Sequence, residues 1–196
     1  MLGMIVVYDL EFTTWPGAQD RGWTAPGEFR EIVQIGALRV DPASLAVEEE
    51  FDALVRPRHN PELSGFFVEL TGITPADVRD RGTDFATALN GFLKFCAGDY
   101  ALSYGNDMVI FGENLILQFP ADQTPAMALP PFVNIRPYLN RVFPATRTLS
   151  AGSVAAGLGG IVPDREEHLH NALRDCYSLL EALKRLKADG RPLFQI

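Results

Sequence analysis

The order of hydrophobic and polar positions predicts three strands in the first 57 residues. Met4–Phe12 is almost continuously apolar, which is typical of a buried strand. Apolar residues return over Glu31–Val40, and Ala46–Pro57 gives a third strand beyond the turn at Asp41-Pro42. The short connection makes strands two and three a hairpin, so we expect a partly antiparallel sheet.

The spacing of apolar residues then changes to the period of helices, interrupted by two short strands. The predicted elements, in order, are helices at Leu63–Leu70, from Thr74-Pro75 onward and at Asp84–Ala97, a strand at Asp99–Ser103, a helix at Asp107–Phe119, a strand at Phe132–Ile135, and helices at Arg136–Val142, Leu149–Gly157 and Glu167–Ala188. Two stretches rich in Gly and Pro, 15–29 and 120–131, are predicted to be irregular. This order differs from the strict alternation of a doubly wound fold and predicts an α/β protein.

The composition fits one globular domain that spans residues 1–196. Of the 196 residues, 47% are hydrophobic, and the chain shows no internal repeat or linker. No apolar stretch near the start approaches the roughly 20 residues of a membrane-spanning helix, and no signal peptide precedes Asp9 and Glu11. Cys96 and Cys176 match neither a zinc site nor a disulfide framework. We therefore expect a cytoplasmic protein with reduced thiols and no membrane partner.

Asp9 and Glu11 are the first residues that suggest chemistry. In a strand, residues two apart point to the same side, so both carboxylates share one face while Leu10 points to the other. Placing two adjacent acids inside an apolar strand is unfavourable unless cations or hydrogen bonds compensate. The alternative is that the strand ends at this point and both acids are solvated.

Further acids occur near two helix starts. Asp107 follows the predicted strand at Asp99–Ser103 and opens a helix, where aspartate is also a common N-cap. His170 and Asp175 lie five positions apart at the start of the last helix. Each of these residues has an ordinary structural explanation when it is taken alone.

Taken together, these residues stand in an order that resembles the DEDDh, or DnaQ-like, family of 3′-to-5′ exonucleases. The similarity covers nearly the whole chain and is closest to the Eri1-like and KapD-like exonucleases. The segments that carry it are Tyr8-Asp9-Leu10-Glu11-Phe12-Thr13-Thr14, Glu31-Ile32-Val33-Gln34-Ile35-Gly36-Ala37, the Leu63–Thr74 stretch with Leu70-Thr71-Gly72-Ile73-Thr74, and Val133-Asn134-Ile135-Arg136. The chain departs from the family at Phe12, where the first motif often has alanine.

The resemblance implies a ribonuclease-H-like fold, with a mixed five-stranded sheet flanked by helices. It also implies that two Mg²⁺ or Mn²⁺ ions are held by four acids, Asp9, Glu11, Asp107 and Asp175, with His170 as general base. Leu70 and Thr71 are expected to contact the terminal nucleotide of the substrate. The expected partners are 3′ ends of single-stranded RNA or DNA, which the enzyme would shorten by releasing nucleoside 5′-monophosphates.

The net charge of −8 argues against non-specific adhesion to nucleic acid, but an acidic metal site is compatible with it. Two alternatives are a catalytically silent module of the same fold and a proofreading subunit of a DNA polymerase. The presence of all five site residues disfavours the first, and the eight residues that follow Ala188 disfavour the second.

Several features of the substrate are left open by the sequence. The choice between RNA and DNA depends on contacts to the 2′-hydroxyl group, which no motif reveals. Trp15 and Trp23 are suited either to stack on bases or to anchor their loop, so neither is included in the predicted site. The oligomeric state is also undetermined.

Overall fold

A mixed β-sheet forms the centre of the molecule. The computed structural model describes residues 3–119, 127–162 and 170–194. The strands are β1 (Ile5–Phe12), β2 (Ile32–Val40), β3 (Val47–Leu54), β4 (Tyr100–Ser103) and β5 (Phe132–Asn134). Their order in the sheet is β3-β2-β1-β4-β5. β2 is antiparallel to β1 and β3, β4 is parallel to β1, and β5 is parallel to β4. The predicted hairpin and mixed sheet are confirmed.

Helices cover both faces of this sheet. In the described residues they are α1 (Gly65–Thr71), α2 (Pro75–Arg81), α3 (Phe85–Cys96), α4 (Asp107–Gln118), α5 (Arg136–Val142), α6 (Val154–Gly157) and α7 (Ala172–Ala188). Local sequence sets where they begin, since Thr74 and Asp77 form a capping box at α2 and Asp84 caps α3. No helix in this part of the chain combines the length and the apolar content that a membrane-spanning segment needs.

The helix predicted over Leu149–Gly157 differs from the structure. The segment begins as a 3-10 turn at Ala151, and α6 follows it. Ser150 and Ser153 close this turn, because the side chain of each bonds to the backbone of the other. Of the stretch predicted to be irregular after α4, residues 120–126 lie outside the described residues.

The last helix begins later than predicted. The sequence pattern starts it at Glu167, whereas α7 starts at Ala172. The Asn171 side chain accepts hydrogen bonds from the N–H groups of Leu173 and Arg174, and this capping arrangement fixes the first turn. The first three residues of the predicted helix lie outside the described part of the chain. Asp175 therefore lies on α7, whereas His170 precedes the helix.

Alternation of side chains along β1 divides the core into two layers. Ile5 and Val7 point to one face and pack with α5, α6 and α7, whereas Tyr8 packs with α3 and α4 on the other. Because β1 is the middle strand and is covered on both faces, its sequence is continuously apolar. Asp9 and Glu11 continue the row of Ile5 and Val7, so they lie on the α7 face.

The start of α7 lies directly on β2, next to β1. Gly36 of β2 is paired with Asp9 of β1. A Cβ atom on Gly36 would lie 2.3 Å from the backbone nitrogen of Leu173, so only glycine fits under the helix. The Ala172 N–H donates to Gln34 Oε1 at 3.0 Å and fixes the helix end. This close approach brings the first turns of α7 over the carboxylates of β1.

Replacing Gly36 by Ala is expected to lower the free energy of unfolding by about 1–3 kcal/mol, because α7 must move away from β2. Chemical denaturation followed by circular dichroism measures this change. Gly112→Ala in α4 is the matched control, since a Cβ atom there meets nothing within 4 Å. The control is expected to be as stable as the parent or slightly more stable. A Gly36→Ala protein with the parent's stability would contradict the close contact between α7 and β2.

Candidate active site

β1 delivers two carboxylates to the end of the sheet. Asp9 and Glu11 lie on the α7 face, whereas Leu10 between them packs into the layer of α3 and α4. Only 9% of Asp9 and 8% of Glu11 is exposed. Both acids are therefore buried, and the alternative of a solvated strand end does not apply to them.

Asp107 is brought to the same place by β4. Because β4 runs parallel to β1, its carboxyl end lies at the same edge of the sheet as Asp9 and Glu11. The capping interpretation does not describe Asp107, which is the first residue of α4 and 9% exposed. Asn106 occupies the N-cap, and its Oδ1 accepts a hydrogen bond from Asn134 at 2.9 Å. The Asp107 carboxylate therefore has no capping role and is available to the candidate site.

Asp175 lies on α7, and His170 is the residue directly before the N-cap of that helix. Asp175 is 3% exposed, and its Oδ1 atom is buried without a hydrogen-bond partner among the described residues. A ring nitrogen of the half-buried His170 and carboxylate oxygens of Glu11 and Asp175 all lie within 4.8 Å of one another. Residues from the two ends of the chain therefore meet at one point.

These side chains line one cleft with a volume of about 660 Å³. Six of the seven residues predicted for the site are in its wall: Asp9, Glu11, Leu70, Asp107, His170 and Asp175. Thr71 is the exception. It is 2% exposed, and its hydroxyl donates to the Phe67 carbonyl at 2.9 Å and accepts from the Ile73 N–H at 3.1 Å. The Thr71 side chain closes the end of α1 and does not line the cleft, so its contact with the terminal nucleotide stays a prediction.

Burial and mutual repulsion make ionised acids unfavourable in this cleft. Burial raises the pKa of Asp9 and of Glu11 well above ordinary values, and the charges of Asp175 and Asp107 raise both further. Burial also raises the pKa of Asp107 to about 6 and that of Asp175 to about 8. Protonation of these four carboxyl groups is therefore favoured unless a cation is present.

A comparison with known protein families shows which family the chain belongs to. The family described as Exonuclease (RNase_T) matches residues 6–183. The chain belongs to this exonuclease family. The exonuclease is 32% identical over 91 residues to ERI1 exoribonuclease 2 of Homo sapiens, and 37% identical over 71 residues to 3′-5′ exoribonuclease 1 of Rattus norvegicus. These matches cover 46% and 36% of this chain but only 12% and 20% of the two relatives.

Solved structures share the fold of the exonuclease. The nuclease domain of 3′hExo, a DEDDh family member bound to rAMP, matches with a TM-score of 0.78 and 24% identity, over 98% of this chain and 95% of that one. A 3′-exonuclease in a structure of 3′-end-specific recognition of a histone mRNA stem-loop matches with a TM-score of 0.77 and 22% identity, over 96% and 83% of the chains. An E. coli ExoI complex with single-stranded DNA matches with a TM-score of 0.65 and 15% identity, over 98% and 42%. The DEDDh resemblance and the ribonuclease-H-like fold are confirmed.

The donor atoms of the exonuclease cleft fit divalent cations. Four carboxylates supply the hard oxygen ligands that Mg²⁺ and Mn²⁺ prefer. In the described wall of the cleft there is no lysine. Its two arginines are engaged elsewhere, because Arg30 pairs with Glu113 and the Arg136 guanidinium lies over the Tyr104 ring at 5.2 Å. Among the described residues that line the cleft, no lysine or arginine forms an ion pair with the acids, although the nearby charge of Arg174 acts against the rise in the pKa of Asp175. The unpartnered oxygen of the Asp175 carboxylate has the character of a metal ligand.

Sequence reasoning missed the residues that position α7 and two that complete the cleft of the exonuclease. Gln34 and Gly36 lie within a segment that resembles the family, but their contacts with α7 become visible only in three dimensions. Phe66 and Arg136 line the cleft and also lie within such segments. The resemblance of those segments to the family was the signal that could have indicated these residues, but it applies to whole segments and does not single out individual side chains.

The repulsion among the acids gives a stability test. Asp9→Asn removes one charge at nearly constant shape, so the metal-free variant is expected to melt at a higher temperature than the metal-free parent. Mg²⁺ or Mn²⁺ is expected to raise the melting temperature of the parent, because a ligand that binds only the folded state stabilises it. Thermal unfolding of both proteins in EDTA and in millimolar Mn²⁺ measures these differences.

Asp80→Asn is the control for this test, because Asp80 is exposed and pairs with the exposed Arg79. Its effect is expected to stay within about 0.5 kcal/mol and to be independent of metal. If the parent and Asp9→Asn had the same melting temperature in EDTA and in Mn²⁺, these carboxylates would not form a metal site.

Proposed function

We propose that this exonuclease removes nucleoside 5′-monophosphates from the 3′ ends of single-stranded RNA or DNA in a metal-dependent reaction. The observation that carries the proposal is the meeting of four buried carboxylates and one imidazole in a single open cleft. Membership of the exonuclease family supports a phosphodiester hydrolase that works from the 3′ end. The acidic cleft supports a reaction that needs divalent cations.

The names of similar proteins support nucleic-acid 3′ ends as the substrate class. The matched relatives are called exoribonucleases, and one similar structure describes the recognition of a histone mRNA stem-loop. Another holds single-stranded DNA. Because the chain covers a small part of the relatives' length, their substrates are carried over only as a class. Both RNA and DNA therefore belong to the proposal.

The residues of the cleft divide the work of phosphodiester hydrolysis. Asp9, Glu11, Asp107 and Asp175 would hold divalent cations, whose chemistry is to polarise the scissile phosphate and to lower the pKa of a water molecule. His170 accepts the proton of the attacking water at a ring nitrogen. Burial and then the positive charge of Arg174 lower the pKa of His170, which favours the neutral imidazole that a base needs. Leu70 in the cleft wall contacts the terminal nucleotide.

Two broader features belong to the same proposal. We propose that residues 1–196 act as one exonuclease domain, which is supported by a family match that extends over residues 6–183. We also propose that the protein works in the cytoplasm. Cys96 and Cys176 are both buried free thiols, which is compatible with the reducing conditions of that compartment.

Degradation of labelled strands tests the activity directly. A 5′-labelled single strand of RNA or DNA is expected to shorten one nucleotide at a time in Mg²⁺ or Mn²⁺, and a strand with a blocked 3′ end is expected to survive. Both expectations follow from hydrolysis at the terminal phosphodiester bond. Denaturing gel electrophoresis of timed samples measures the ladder of products.

EDTA provides the control for metal dependence, and Asp175→Asn provides the control for contaminating nucleases. Persistent degradation in EDTA, or internal cuts as the first products, would contradict the proposed reaction. Intact strands after incubation with the parent in either metal would instead favour the catalytically silent module.

His170→Ala tests the assignment of the base. The variant is expected to lower kcat by about 10²–10⁴-fold, because proton transfer from water loses its acceptor. Affinity for Mn²⁺ is expected to stay nearly unchanged, since His170 is proposed as a base and not as a ligand. Single-turnover rates and titration calorimetry with Mn²⁺ measure the two quantities separately.

The proximity of His170 to Glu11 and Asp175 makes the calorimetric result decisive, because the three groups are close enough to share an ion. Loss of Mn²⁺ binding in His170→Ala would show that the ring is a ligand. His59→Ala is the matched control. His59 is exposed, lies outside the cleft and packs against Phe29 at 5.5 Å, so neither quantity is expected to change.

A further inference from the structure

Arg136 is a cation in the wall of the cleft that the proposed reaction does not use. The described wall contains two arginines. Arg30 is paired with Glu113, whereas Arg136 has no acidic partner among the described residues. In the same part of the chain, the one hydrogen bond of its guanidinium is a long one, from Nη2 to the Arg147 carbonyl at 3.4 Å. Most of its N–H groups are therefore available to a ligand.

Tyr104 provides a fixed surface under this guanidinium. The Cζ atom of Arg136 lies over the Tyr104 ring, 5.2 Å from its centre. Tyr104 is buried, and its hydroxyl donates to the Thr146 carbonyl at 2.7 Å. Contact with the face of a ring restrains a guanidinium without using its N–H groups, which lie at its edge. Arg136 is thus held in place and is still able to donate hydrogen bonds.

The backbone of Arg136 is tied to the segment that carries Asp107. The Arg136 N–H donates to Asn134 Oδ1 at 3.0 Å, and the Nδ2 atom of the same amide donates to Asn106 Oδ1 at 2.9 Å. Asn106 directly precedes Asp107 in the sequence. One side-chain amide therefore links Arg136 to the residue before a candidate metal ligand.

The order of the strands places Arg136 and Leu70 on opposite sides of the acids. Leu70 lies on α1, which packs near β2 and β3 through a cluster of Phe67, Val33 and Leu54. Arg136 follows β5, at the other end of the strand order β3-β2-β1-β4-β5. The acids of β1 and of α4, which follows β4, lie between the two sides. A strand whose terminal nucleotide contacts Leu70 and whose scissile phosphate meets the acids therefore continues towards Arg136.

We propose that Arg136 binds the phosphate directly 5′ of the scissile phosphate, which joins the second and third nucleotides from the 3′ end. This inference rests on the proposed exonuclease function and names a residue that holds the strand which remains after cleavage. The fork of guanidinium N–H groups matches the oxygens of a phosphate. Every linkage of RNA or DNA presents the same anion, so this contact is independent of base sequence.

Arg136→Gln removes the charge and the fork. It is expected to raise KM for removal of the first nucleotide by about 10- to 100-fold, because hydrogen bonds to a charged group are lost. The kcat of that step is expected to change little, since the contacted phosphate is not the one that reacts. Arg136→Lys keeps the charge without the fork, so its KM is expected to lie between those of the parent and Arg136→Gln. Initial rates on 5′-labelled single strands measure both quantities.

Neutral linkages locate the contact. Three strands of the sugar type that the parent cleaves are compared: one unmodified, one with a methylphosphonate at the second linkage from the 3′ end, and one with a methylphosphonate at the third. In RNA, the third and fourth nucleotides of all three strands carry 2′-deoxyribose, because a 2′-hydroxyl would attack the neutral linkage. The second-linkage strand is expected to raise KM for the parent, and Arg136→Gln is expected to add nothing on it. On the other two strands the variant is expected to show its full defect.

Arg191→Gln is the matched control for loss of one positive charge. Arg191 is exposed and follows the end of α7 that lies away from Asp175, so KM is expected to stay at the parent value on all three strands. Equal defects of Arg136→Gln on all three strands would overturn the proposal, because a general loss of structure or charge acts on each strand alike. A fall in kcat that persists on the second-linkage strand would also overturn it, because Arg136 would then act on the scissile phosphate.

Binding gives a readout that does not depend on activity. Fluorescence anisotropy with 5′-fluorescein strands in Mn²⁺ is measured for His170→Ala, which is expected to degrade them slowly, and for the same protein with Arg136→Gln. The second change is expected to weaken binding by the same factor, and to reduce the slope of log K against log salt by about 0.7, the value for one phosphate contact on a single strand. Binding that is unchanged by Arg136→Gln would contradict the contact.

The two readouts separate this inference from the proposed function. Weaker binding of Arg136→Gln that is confined to strands with a charged second linkage would uphold the phosphate contact, even if the parent degraded no strand, and the exonuclease function alone would then be refuted. Degradation by the parent with no linkage-specific effect of Arg136→Gln would refute the contact and leave the function intact.

Discussion

The burial of four mutually repelling carboxyl groups is the constraint on which the rest of the structure depends. Asp9, Glu11, Asp107 and Asp175 are each exposed by less than a tenth, and burial raises the pKa of each of them. Such a cluster favours separation of the elements that carry it. The fold must therefore hold β1, α4 and α7 together through contacts that do not involve the acids.

Most of those contacts are made where α7 packs against the sheet. Apolar residues along the helix, such as Leu179, Leu180 and Leu183, are buried against β1 and β2 in one core layer, so hydrophobic burial opposes the repulsion at the end of the helix. Polar contacts then fix the position of that end, since Gln34 accepts from its first N–H group. The absence of a side chain at Gly36 sets the distance of approach. Packing thus supplies the free energy, and these local contacts supply the geometry.

The sequence predicted the architecture well because hydrophobic periodicity reflects burial directly. The first buried strand, the hairpin and the start of α2 all follow from neighbouring residues. The start of α7 was predicted too early, since the capping role of Asn171 depends on a hydrogen-bond pattern that apolar spacing does not report. Thr71 was assigned to the site together with Leu70 because the resemblance implies that both contact the terminal nucleotide, yet neighbours on a helix point in different directions. Its side chain turns into the end of α1, and only three-dimensional contacts reveal that.

The segments that form the wall of the cleft are held by contacts other than those of the four acids, which form its floor. The buried carboxylate of Glu31 accepts N–H bonds from the loop before α1, including Arg58 at 2.7 Å, and a bond from Gln118 of α4 at 3.1 Å. The wall segments are therefore tied to the ends of β2 and α4 and not to the acids. Phe12 fits this division of roles because its ring supports Trp23 and so the connection between β1 and β2. The large residue directly after the acid pair thus shapes the wall of the cleft, and the four acids keep their positions because other contacts hold them.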